Sequence, residues 1–266
     1  MKKVLQISNI ISLLIAIFVN YFVNAKQAGT PSISEISARY DTLLTPAGYA
    51  FGIWGLIYLG LIIFAVYQSI SLFNKKYDNN YVSDIGWWFV LANLANAVWV
   101  VAFTNNQIGL SVLIIILLLF SLLKIVFNTN MERWDAPGSI IGLLWWPISL
   151  YFGWIVVATI VNIAAWLTST GWDGAPLSPD SWAVIVLIVA GIIFVYMTWN
   201  RNMREAANVG VWGIVAIGVK NWGENHLVAY SSIIVAIIIF ISASAHGYKN
   251  RATAPFRKRT KQIESL

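Results

Sequence analysis

The run 108–127, IGLSVLIIILLLFSLLKIVF, carries one charged residue, Lys124, in twenty. A bilayer's hydrocarbon layer is crossed by about 20 apolar residues in a helix, and a soluble domain seldom sustains such a run. Seven more stretches approach the same description: 4–23, 49–73, 85–103, one within 138–168, 182–199, 206–220 and 227–245. Composition agrees. Of 266 residues 59% are hydrophobic and 11% charged, whereas a soluble domain is about 25% charged. The expected fold class is all-α, a polytopic transmembrane helix bundle of about eight helices. Pro147 is expected to end a lead-in turn or kink the fifth span. The seventh span is short and holds Gly210, Gly213 and Gly218, which suits close packing among neighbouring helices.

The net charge of +6 does not point to nucleic acid, because the basic residues cluster at the ends of apolar runs. With eight alternating crossings, fourteen of the seventeen Lys and Arg fall on the side of the N-terminus, leaving Lys26, Arg39 and Lys220 opposite. Basic residues concentrate on the cytoplasmic side, so both termini are expected there, in an integral membrane protein of a bacterial plasma membrane. Lys2, Lys3, the first apolar run and Val23-Asn24-Ala25 also resemble a signal peptide. The run is long for one, and Gln6, Ser8 and Asn9 interrupt it, so it is read as a span. The basic tail 249–266 is expected to lie on anionic lipid.

Three spans carry stripes of rings and amides. Phe51, Trp54 and Tyr58 share one helical face, as do Asn93 and Asn96 with Trp99 near the edge, and Tyr151, Trp154, Ala158 and Asn162 form a third. An amide facing lipid is costly, so these Asn should meet protein, water or ligand. Interhelical hydrogen bonding would account for any one of them. Three such stripes together also fit a shared apolar pocket with a few polar handles. Trp87, Trp88, Trp172, Trp182 and Trp222 lie near span ends, where aromatic belts form.

The absences narrow the function. No Asp, Glu, Arg or His falls near the middle of a span, which argues against an ion-coupled carrier. His226 and His246 sit at opposite ends of the last span and cannot share a metal. Cysteine is absent, so there is no thiolate metal site. No phosphate loop, HExxH or GxSxG is present. The chain is therefore expected to need no cofactor and to be no enzyme.

The segment Pro147, Tyr151, Trp154, Ala158, Thr159, Asn162, Trp166 resembles the fifth helix of the TspO/MBR family of tryptophan-rich sensory proteins, which includes the mitochondrial translocator protein. That family's motif reads approximately P-Y-x-x-W-x-x-x-A-T-x-x-N. TPAGYAFGIWGLIYLG resembles the start of its second helix, and LANLANAVW its third-helix L-N-x-x-W. The resemblance covers roughly 1–166. It departs from the family at the reduced Pro-rich entry to the second helix, at the three residues between Pro147 and Tyr151, and in three additional helices. The division it implies is a five-helix domain over 1–168, a three-helix extension over 169–248 and a basic tail. It further implies a pocket lined by Phe51, Trp54, Asn93, Asn96, Trp99, Tyr151, Trp154, Ala158 and Asn162. Its ligand would be a tetrapyrrole such as protoporphyrin or haem, a sterol in some lineages, or a benzodiazepine-type compound. A loose reversed sterol-type pattern lies at 75–82. The resulting expectation is a membrane receptor or sensor. A transporter or permease for a hydrophobic small molecule is the alternative, a light-dependent porphyrin-degrading enzyme and a ligand-free scaffold stand further off, and a homodimer is possible on its small-residue faces.

Overall fold

A computed structural model describes residues 1–25, 29–74 and 80–251. Lys26, Lys75 and Lys76, most of the 75–82 pattern and the tail beyond Arg251 lie outside the described residues. Eight long helices run up and down: α1 (Lys2–Asn24), α3 (Ile53–Phe73), α5 (Trp88–Thr104), α6 (Ile108–Asn128), α8 (Trp146–Ser169), α9 (Pro179–Arg201), α10 (Arg204–Lys220) and α11 (His226–Lys249). Short helices intervene at α2 (Ile33–Arg39), α4 (Tyr81–Ile85) and α7 (Gly138–Ile140), with a 3-10 turn over Gly48–Gly52. Six of the helical stretches are long and apolar enough to cross a membrane. The other two long helices, α5 and α10, have 17 residues each, near the lower limit of about 17 for a span.

Local chemistry sets the ends. Ser178 caps α9 by accepting from the Ser181 N–H, with Pro179 in the first turn. Its missing N–H costs nothing there, so α9 starts at 179 and not at 182. It stops at Asn202 in the left-handed conformation. Gly86, at φ +57°, separates α4 from α5, which is why the third span begins at 88 instead of 85. Pro147 does not break its helix. A π-helical turn over Ile141–Trp145 precedes it, and this wider turn absorbs the ring and the lost donor.

Five helices close a ring in the order α1, α5, α6, α8, α3, each packed on the next. Helix α10 lies against the outside of α8 and is flanked by α9 and α11. This contact is close because its residues are small. A Cβ on Gly153 would stand 2.6 Å from the Ala206 carbonyl oxygen, and one on Gly213 would stand 2.8 Å from Val157 Cγ1. The glycines of α10 thus serve packing within the chain. Large apolar side chains point outward around the bundle, among them Leu113 (67% exposed), Val66 (63%) and Ile192 (63%). An apolar girdle on that scale needs lipid to cover it. The molecule is an integral membrane protein.

Polar side chains within the ring pair with one another. Gln6 Nε2 donates to Ser71 Oγ (2.7 Å), Asn9 Nδ2 to Gln68 Oε1 (2.9 Å) and Asn20 Nδ2 to Asn96 Oδ1 (2.8 Å). The first apolar run, with its interrupting Gln6 and Asn9, is therefore built into the bundle. Lys124 places its ammonium over the Trp88 ring at 5.6 Å. Trp87 and Trp222 are exposed near helix ends, as the belt pattern expects.

At the end of the bundle that carries the N-terminus, Arg201 Nη2 donates to the Val126 carbonyl (2.9 Å), and the Asn202 amide donates to the Glu132 carbonyl. The Glu132 side chain sits in the connection between α6 and α7. Burial, and after it the charge of Glu205, pushes its carboxyl up to about 8, with Arg204 acting the other way.

Two outcomes are expected. Gly153→Leu drives a side chain into the α10 backbone and should cost about 1–3 kcal/mol or more, read as a lower thermal midpoint in detergent. The Glu132 carboxyl holds its proton more tightly folded than unfolded. Stability should therefore fall as pH rises from about 4.5 to about 8. Glu132→Gln should flatten that slope in a thermal-midpoint series across the window.

Candidate functional site

The rings of three elements converge inside the five-helix ring. Trp54 stacks on Tyr58 (centroids 5.3 Å, 22°) and meets Tyr151 (6.0 Å, 64°) and Trp154 (6.5 Å, 83°) edge-on. Phe51, on the 3-10 turn, meets Trp154 from the other side (6.1 Å, 85°). Trp99 stacks on Phe103 one turn along α5 (5.3 Å, 19°). Edge and offset contacts are the favoured geometries of aromatic pairs.

Between these rings lies a cavity of about 30 Å³. It holds one or two waters at about 10–15 Å³ each, against about 300–1,000 Å³ for a pocket that takes a drug-sized ligand. The cavity wall includes Phe51, Trp54, Trp99, Trp154, Ala158 and Asn162, six of the nine residues that the sequence singles out. Asn93, Asn96 and Tyr151 do not line it. Asn93 Nδ2 donates to Ser12 Oγ (3.3 Å), and Asn96 Oδ1 accepts from Asn20 and from the Tyr58 hydroxyl (3.1 Å). Tyr151 is fully buried behind Trp54.

Asn162 is held on both sides. Its Oδ1 accepts from Trp99 Nε1 (2.7 Å), and its Nδ2 donates to Ser111 Oγ (2.9 Å), whose hydroxyl donates to the Ile108 carbonyl (2.7 Å). The amide therefore ties α8 to α5 and α6 while one edge faces the cavity. Trp154 differs. It is 2% exposed, and its indole N–H finds no hydrogen-bond partner among the described residues. Trp donates and never accepts through that nitrogen. A buried unpaired donor costs about 1–3 kcal/mol, and a ligand acceptor in the cavity would satisfy it.

The family resemblance implies a pocket beneath the long first loop, and the structure adds a helix, α2, within that loop. Ile33 and Ser37 of α2 and Pro46 close the cavity from the loop between α1 and α3. A signal for α2 was present, since Ser32 and Glu35 form a reciprocal capping box, the S-x-x-E pattern of a helix start. The roof is pinned to α10, where Ala47 N–H donates to the Ala216 carbonyl (3.0 Å) and Trp212 Nε1 to the Ala50 carbonyl (3.1 Å). Among the described residues, no group of His, Asp and Glu could hold a metal.

No curated protein and no solved structure matches the chain. One family model does, that of the TSPO-like protein family, over residues 6–245. The match runs beyond 166 and takes in α9, α10 and nearly all of α11, which the sequence resemblance left outside. By a match across most of its length, joined to the helical ring and its aromatic centre, the chain belongs to the TSPO-like protein family.

Proposed function

We propose that the protein is a membrane receptor or sensor that binds a flat hydrophobic ligand, a tetrapyrrole such as protoporphyrin, inside the five-helix ring. It acts by binding and not by catalysis, with both termini in the cytoplasm of a bacterial cell. The observation that carries this reading is the unpaired Trp154 N–H, set in a wall of rings beside an amide already committed to the protein. Rings supply stacking surfaces for a flat macrocycle, and the indole supplies one directional donor. Ala158 is the small residue in the wall, where a larger side chain would obstruct a ligand. Binding requires the rings to part, because a cavity of about 30 Å³ is too small for such a molecule.

A second reading, transport, has its own support. A slot of about 10 Å³ shares Val157 and Val161 with the central cavity, and shares Leu44, Ile160 and Val186 with a larger groove beyond it. Shared wall residues thus connect the central cavity, through the slot, to the groove. Uptake of labelled protoporphyrin into proteoliposomes, above that of protein-free vesicles, would favour this reading over a receptor.

Tryptophan quenching by protoporphyrin tests the main reading. Saturable quenching is expected. Trp154→Phe, which keeps the ring and removes the donor, should weaken it about fivefold, the effect of about 1 kcal/mol for a hydrogen bond. Ala158→Leu should abolish it without removing any hydrogen bond. Equal affinity in all three proteins would sink the proposal. Asn162→Leu should instead lower the thermal midpoint, because the loss of its partners leaves the Trp99 N–H unpaired at a cost of about 1–3 kcal/mol.

A further inference from the structure

A second cavity is far larger than the central one. A groove of about 680 Å³ opens at the loop end of the bundle, within the about 300–1,000 Å³ typical of small-molecule sites. One wall is the last three turns of α8, where Ile160, Ile163, Ala164 and Leu167 recur at helical spacing. The opposite wall is the start of α9, through Ala183 and Val186. Helix α10 packs against both and closes the floor at Asn221 just past its end. The groove therefore exists only because the last three helices stand beside the ring.

Its mouth is polar and acidic. Among the described residues, Asp41, Asp173 and Glu224 line it against a single lysine, Lys220, which pairs with Asp41 at 2.8 Å. Two formal negative charges remain unbalanced there. Trp172 and Trp182 complete the rim with centroids 5.6 Å apart, their rings tilted by 57°. The Trp182 N–H is engaged by the Gly174 carbonyl, so that ring is fixed and offers its face. Carboxylates and indole faces both attract a cation. Both disfavour the carboxylates of a porphyrin.

We propose that this groove is a second binding site, for an amphiphilic organic cation, with its apolar body between α8 and α9 and its charge at the rim of Asp173, Glu224 and the two tryptophans. The site is separate from the central cavity and does not depend on what that cavity binds.

Radiolabelled tetraphenylphosphonium, with the purified full-length protein in nonionic detergent, tests the assignment by scintillation proximity. Saturable binding is expected. Asp173→Asn combined with Glu224→Gln should weaken it about tenfold, as the loss of two surface charges near a cation allows. Both side chains are exposed, so that variant keeps the test open should a bulkier one fail to fold. Ala164→Trp, which fills the groove, should abolish binding, and Trp154→Phe should leave it unchanged. Neutral triphenylphosphine oxide should compete poorly. The proposal is overturned by the absence of saturable binding, by binding that survives both groove variants, or by equal competition from the neutral compound. Loss of binding in Trp154→Phe would also overturn it, by moving the cation to the central cavity while leaving the proposed receptor function standing.

Discussion

A polar side chain inside a bilayer must find its partner within the protein, because lipid offers none. That constraint fixes how the ring of helices is put together. Gln6, Asn9 and Asn20 on α1 reach α3 and α5, and Asn162 on α8 reaches α5 and α6. Apolar contacts between helices in lipid have little hydrophobic drive and tolerate sliding. A paired amide does not, since a slip of one residue turns it about 100° around the helix. These pairs therefore set the register of the helices whose rings meet at Trp54. Of the buried donors left without a partner among the described residues, which include Asn96 Nδ2 and Trp154 Nε1, the Trp154 N–H belongs to a residue of the cavity wall.

The same constraint explains α10. Its sequence is the least apolar of the long helices, with glycine at 210, 213 and 218. Alone it would be a weak span. Its glycines let α8 and α9 come close enough for Val157 and the Phe194 ring to pack against bare backbone, and dispersion at that distance replaces what side-chain hydrophobicity would supply. The contact has a consequence at the opposite end from Glu132. With α10 held on α8, the 3-10 turn carrying Phe51 and the roof residue Pro46 are anchored to Trp212 and Ala216. The last three helices thus brace the roof of the pocket.

Periodicity made the eight helices and six of the cavity-lining residues legible, because span length and helical face are local properties. It says which residues share a face but not which neighbour that face meets. Asn93 and Asn96 therefore looked like companions of Trp99 in the pocket, and the structure turns them to Ser12, Asn20 and Tyr58 on α1 and α3. The same gap hid Val157 and Val161, which line both the central cavity and the slot beside it. The groove was illegible for a further reason. Asp41, Asp173 and Glu224 belong to three different connections, and only the packing of α8, α9 and α10 brings them to one mouth.

The small size of the central cavity would cost a ligand affinity on the proposed receptor reading. Trp54 makes ring contacts with Tyr58, Tyr151 and Trp154, each worth about 0.5–1.5 kcal/mol beyond simple burial. If parting the rings breaks all three, the open state lies about 1.5–4.5 kcal/mol above the closed one. Apparent affinity then falls by the fraction that is open, tenfold or more. A flat aromatic ligand that stacks on Trp54 restores contacts of the kind it displaces, whereas an aliphatic ligand of equal area does not. On the proposed receptor reading, the aromatic cluster would select for planar rings by the contacts that widening gives up, in addition to those that the bound state makes.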